Sequence, residues 1–130
     1  MNTIKERYVS REVAMLLKDK GFDIPVNYEY HYLITVPQFH RKKHDFNGIE
    51  YRNCSSEWYS VPTQAMACDW LTDNYKIYIN VSFVSGKGYV GTICDISDFD
   101  NAFGIVETKY YSCIETVYNE ALKYVLTNFV

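Results

Sequence analysis

Apolar positions recur along this chain with two periods, and the places where one period gives way to the other mark its elements. The final stretch is the plainest. Ile114, Val117, Tyr118, Ala121, Leu122, Val125 and Phe129 return every three or four residues, drawing a stripe down one side of a helix that has to be buried. Ser112, with Glu115 three residues on, is a capping-box pair that would open this helix. A shorter stripe, Val13, Leu16 and Leu17, follows Ser10, whose hydroxyl can accept an otherwise unbonded first-turn amide. Val9 and Ala14 are spaced for a hydrophobic staple, Lys18 and Lys20 suit the negative end of the helix, and Gly21 suits its stop. Pro62 fits the first turn of a middle helix whose inner face is Met66, Ala67, Trp70 and Leu71, closed by Asp73-Asn74.

Between the helices the period drops to two. Tyr28, Tyr30, Tyr32, Ile34 and Val36 share one side of a predicted strand that Pro37 ends. The stretch 38–48 is polar and aperiodic and closes on the turn dipeptide Asn47-Gly48. A short return strand is expected at 49–54 and a loop at 55–59. Ile77, Ile79, Val81 and Phe83 alternate with Tyr78, Asn80, Ser82 and Val84; the turn residues 85–88 follow, and 89–96 returns as the second arm of a hairpin. Residues 97–107 read as a turn or a loose helical segment. The order α-β-(β)-α-β-β-α predicts a single α+β domain over 1–130. It would hold an antiparallel sheet of three to four strands, with about three helices packed mainly on one face.

Composition narrows the function classes. Hydrophobic residues make up 48% and charged residues 22%, a globular balance with no disordered bias. No apolar run approaches the roughly 18 residues of a membrane span. The polar start, residues 1–13, lacks the apolar centre of a signal peptide, so a cytoplasmic location is expected. The net charge of -3 opposes nonspecific attraction to phosphate backbones. Thirteen tyrosines suit half-buried sheet and helix positions, and they also suit interfaces. Cys54, Cys68, Cys94 and Cys113 form no CxxC pair and read as reduced, largely buried thiols.

Several short runs together resemble a known family. They are Ser10-Arg11-Glu12-Val13, Leu16-Leu17-Lys18 and Lys20-Gly21-Phe22, then Ser60-Val61-Pro62-Thr63-Gln64, Asp69-Trp70-Leu71, Tyr75-Lys76-Ile77 and Asn119-Glu120-Ala121-Leu122. They look like short, uncharacterised proteins encoded by prophages of gut anaerobic bacteria. The likeness spans nearly the whole chain, residues 38–59 excepted. Its motifs are structural, so it implies an accessory role in a mobile element and no particular chemistry.

Candidate chemistry is sparse. His40 and His44 have metal-ligand spacing, but Arg41-Lys42-Lys43 sets positive charge where a cation would sit. No metal or cofactor is predicted. His40, Arg41, Lys42 and Lys43 are the basic cluster and, with Phe39 and Phe46 beside them, the candidates for nucleic-acid contact. Asp95, Asp98 and Asp100 fail the calcium-loop spacing and suit turn formation. Cys113 lies near a helix start, where a thiol can acidify, but no histidine is close in sequence. Trp58-Tyr59 reads either as a lid over the core or as an exposed contact, and Tyr110-Tyr111 could join it in one aromatic patch. A non-enzymatic domain acting through protein contacts, with a protein partner or a second copy, is therefore expected. A nucleic-acid-associated regulator using residues 40–43 is the alternative. No membrane or small-molecule partner is inferred.

Overall fold

The computed structural model describes residues 6–26, 28–31, 40–41 and 58–130, with residues 29–31, 40–41 and 58 described by backbone alone. The chain forms two compact units, Met1–Ala65 and Met66–Val130. The class is α+β, and the described residues hold three helices in the expected order. Among the described residues the strands make two antiparallel three-stranded sheets.

The first unit contains α1 (Arg11–Asp19), β1 (Tyr28–His31), β2 (His40–Arg41) and β3 (Trp58–Val61), with sheet order β2-β1-β3. Both ends of α1 are built as the sequence suggests. The Val13 amide donates to Ser10 Oγ at 3.2 Å. At the other end Gly21 takes φ +87°, so its amide reaches the Lys18 carbonyl at 3.1 Å and the Phe22 amide reaches Leu17 at 2.9 Å. That is a Schellman closure. The cap contributes about 1 kcal/mol. Burying Leu17 and Phe22, both essentially inaccessible, contributes about 1.5–3 kcal/mol each, so packing outweighs capping here. Before α1 the chain is tied to the segment after β3: the Val9 amide donates to the Pro62 carbonyl (3.1 Å) and the Gln64 amide to Arg7 (2.8 Å).

Two expectations are corrected in this unit. Trp58 and Tyr59 lie in strand β3 and not in a loop, because their backbone pairs with His31 and Tyr30 of β1. Pro62 precedes the middle helix by two residues and serves through its carbonyl. Of the strand expected at 28–36, the first four residues form β1; its remainder and the return strand at 49–54 fall outside the described residues.

α2 (Gln64–Tyr75) leads into the second unit, which holds β4 (Ile77–Val84), β5 (Gly88–Asp95), β6 (Phe103–Glu107) and α3 (Ile114–Asn128). α2 runs slightly past Asp73-Asn74 and ends where Lys76 enters the left-handed region at φ 56°. Thr72 Oγ1 donates to the Ile77 carbonyl at 2.9 Å, fixing how β4 leaves the helix. β4 and β5 form the expected hairpin in unbroken register, from Ile77 opposite Asp95 to Val84 opposite Gly88. α3 packs on β5 and β4 and buries Val117, Ala121, Leu122, Val125 and Leu126 completely. Phe129, expected on that stripe, is its C-cap and packs on the Tyr124 ring at 5.7 Å.

The N-cap of α3 is Cys113, one residue beyond the Ser112 of the expected capping box. Residues 103–107 form an edge strand, not a loose helix, paired to β5 with a register shift opposite Ile93 and Cys94 that makes Ile105 a bulge. Its side chains are mostly exposed, which is why no buried periodicity announced it.

β5 is approached unusually closely at two glycines. A Cβ on Gly88 would lie 2.5 Å from the Tyr111 carbonyl oxygen, and one on Gly91 would lie 2.9 Å from Val117 Cγ1. Gly88 also holds φ +107°. Gly86, in the hairpin turn at φ +81°, has nothing within 4 Å of such a Cβ. Gly86→Ala should therefore cost about 1 kcal/mol, the left-handed penalty alone. Gly88→Ala should cost about 3 kcal/mol, since the clash adds to it. Urea unfolding of the two variants measures this, and equal losses would remove the close approach as the cause.

Candidate functional site

The aromatic candidates separate. Tyr59 is 1% exposed, and its hydroxyl accepts a hydrogen bond from Arg11 Nε. A role for Tyr59 as a surface contact is thus corrected: the strand turns it into the core of the first unit. The side chain of Trp58 falls outside the described residues. Tyr110 is exposed, with Lys87 Nζ 5.4 Å above its ring. Tyr111 is half-buried and is held by its backbone, which exchanges hydrogen bonds with Tyr89 at 2.7 and 2.9 Å. Of the basic cluster, His40 and Arg41 form β2 opposite Glu29 and Tyr28; Lys42 and Lys43 lie outside the described residues.

The acidic segment is occupied with its own turns. Asp95 Oδ1 accepts from the Ser97 hydroxyl at 2.6 Å and the Ser97 amide at 2.9 Å. Asp98 accepts from the Asn101 side-chain amide at 3.1 Å and the Asp100 amide at 3.0 Å. These bonds favour the charged form and hold both carboxyls below the usual aspartate value of 3.8. Among the described residues, no group of His, Cys, Asp and Glu is gathered as a metal would need. A cavity of about 250 Å³ lies beside β6, lined by Ile93, Val106, Glu107, Lys109, Glu120 and Tyr124 among others. It is smaller than the roughly 300–1,000 Å³ of sites that enclose a drug-sized ligand.

The two thiols with perturbed acidity point in opposite directions. Burial pushes Cys68 up to about 12, with the nearby Asp69 charge adding to it. Cys113 is exposed at the start of α3, where the amides of Thr116 and then Glu115 favour the thiolate and hold it below the ordinary thiol value of 9.0.

A different feature stands out at the sheet of the second unit. Its order is β4-β5-β6, so β4 and β6 are edges. β6 carries the devices that ordinarily protect an edge, a bulge at Ile105 and a terminal charge at Glu107. β4 reads Ile-Tyr-Ile-Asn-Val-Ser-Phe-Val, eight residues with no charge, proline, glycine or bulge. The Lys76 carbonyl accepts the Ile96 amide at 3.0 Å. Even-numbered residues therefore direct their backbone groups toward β5, and Ile79, Val81 and Phe83 direct theirs outward. Among the described residues those outward groups bond to nothing. The Ile77 carbonyl, which points the same way, is taken by Thr72. Tyr78 is 49% and Phe83 63% exposed. Sequence reasoning identified the strand but missed its significance; eight residues without a charge were the available signal.

No family model matches the chain, and no curated protein or solved structure matches it. Among the described residues no helix is long and apolar enough to cross a membrane.

The thiols supply a direct check. A depressed pKa raises the thiolate fraction at any pH below it, and a raised one suppresses it. Iodoacetamide near pH 8 should therefore alkylate Cys113 well before Cys68, followed by peptide mass spectrometry. Faster labelling of Cys68 would contradict both assignments.

Proposed function

We propose that this chain is a non-enzymatic cytoplasmic module that acts through protein contacts, made at the β4 edge of its second unit. The resemblance noted above adds a prophage accessory role to that proposal. One observation carries the reading: an uncharged edge strand whose outward backbone groups at Ile79, Val81 and Phe83 meet no partner among the described residues. Water satisfies such groups in the free protein, so they cost little stability. They remain a template on which another strand can form main-chain hydrogen bonds. Exposed Tyr78 and Phe83 supply apolar area beside it.

A perturbed group alone does not argue for catalysis. Asp95, Asp98 and Cys113 are each shifted by their own turn or helix end, whereas catalysis needs a nucleophile or base converging with partners on one reacting atom.

A photoreactive benzoylphenylalanine placed at Phe83 tests the reading in cells that make the chain. Illumination should give covalent protein adducts, and these should vanish in an Asn80→Lys/Ser82→Lys background that charges the exposed face of the edge. Absence of adducts, or adducts indifferent to the two lysines, would overturn it.

A further inference from the structure

We infer that the strand received by β4 belongs to a second copy of this chain, paired antiparallel about a twofold axis through Val81, so that two three-stranded sheets become one. This rests on the protein-contact reading of β4 and names its partner.

The register follows from the backbone. A twofold axis normal to the sheet keeps each side chain on its own face, so opposed residues must both be odd or both even. Two central registers meet that condition. With Asn80 on the axis, Ile77 would have to bond across the seam, but its carbonyl already accepts from Thr72 Oγ1 at 2.9 Å. With Val81 on the axis, Ile79 faces Phe83 and Val81 faces itself. Every outward amide and carbonyl of Ile79, Val81 and Phe83 then finds a partner.

The side chains match in the same register. Asn80 comes opposite Ser82, both polar and exposed, while Tyr78 comes opposite Val84 and Ile79 opposite Phe83. Self-pairing ordinarily brings like charges together; β4 has no charge to oppose it. The other edge is a poorer candidate, because the bulge at Ile105 interrupts its ladder. The twofold pairing consumes the β4 edge of both copies, so the assembly closes at two. Seven residues a side make a small interface, and reversible association in the micromolar range is expected.

Sedimentation equilibrium on the purified full chain and two variants decides the matter, with circular dichroism confirming that each is folded. The exposed positions 80 and 82 are changed so that the core is untouched. Wild type should show a monomer–dimer equilibrium. Asn80→Lys/Ser82→Lys, which opposes positive charges across the seam, should weaken it at least about tenfold. Asn80→Lys/Ser82→Asp should restore it, because opposite charges then meet. A wild type that stays monomeric up to about 1 mM, a dimer insensitive to both variants, larger open assemblies, or failure of the mixed-charge variant would each overturn the twofold pairing. Monomeric protein that still forms Phe83 adducts with other proteins in cells would remove the second copy and leave the edge reading standing. Absence of adducts as well would remove both.

Discussion

The second unit depends on how closely its neighbours approach β5. Gly88 lets the Tyr111 carbonyl approach closer than a side chain would permit, and Gly91 does the same for Val117. The first acts on the segment joining β6 to α3, the second on α3 itself. Tyr111 bonds to Tyr89. Thr108 closes a reciprocal pair with Gly91, donating its amide to the Gly91 carbonyl at 2.8 Å and accepting the Gly91 amide on Oγ1 at 2.9 Å. The connection is thereby laid along β5, and α3 is delivered to the sheet with Val117 already against the strand. Once that contact is set, Ala121, Leu122, Val125 and Leu126 follow at helical spacing. Two missing side chains thus position an apolar stripe whose burial supplies most of the stabilisation.

A central strand engaged on both sides leaves the edges to be managed by the outer strands. β6 and β4 manage them differently. The bulge in β6 re-aims its backbone, and Gly104 opposite Cys94 reduces the side-chain cover. β4 is straight, β-branched at alternate positions and uncharged, the composition that pairs best with β5 and equally well with anything else extended. The feature that makes it a good hairpin arm also makes it a good receiver. A lysine at Asn80 or Ser82 would leave pairing with β5 largely intact, since both residues are exposed. Fold stability therefore does not require the edge to be neutral.

Much of the fold was legible because local chemistry and burial agreed. Ser10, Val13, Leu17 and Gly21 specify α1 through a cap, a stripe and a left-handed stop, all within twelve residues. The hairpin was legible through alternation. β6 was not, because Phe103 and Ile105 face solvent and their alternation has no buried face to reveal it. Ser112 was misleading for a different reason: its capping-box spacing to Glu115 competes with the tether of Tyr111 to Tyr89, and the tether places the helix start one residue later, at a cysteine that forms no side-chain cap bond. Trp58-Tyr59 left a lid over the core and an exposed contact both open, because adjacency alone does not fix the face of either ring; Tyr59 is buried, its hydroxyl accepting from Arg11.

The same distinction separates perturbed groups from functional ones. Asp95 and Asp98 hold low pKa values because serine and asparagine neighbours within three residues donate to them, and that is the cost-free consequence of forming the turn between β5 and β6. Cys113 is acidified because the helix start exposes unbonded amides. Each shift is accounted for by an element that the fold requires anyway. The outward groups of Ile79, Val81 and Phe83 differ: among the described residues no turn, cap or strand bonds to them, and the hairpin would form as well with a charge beside them.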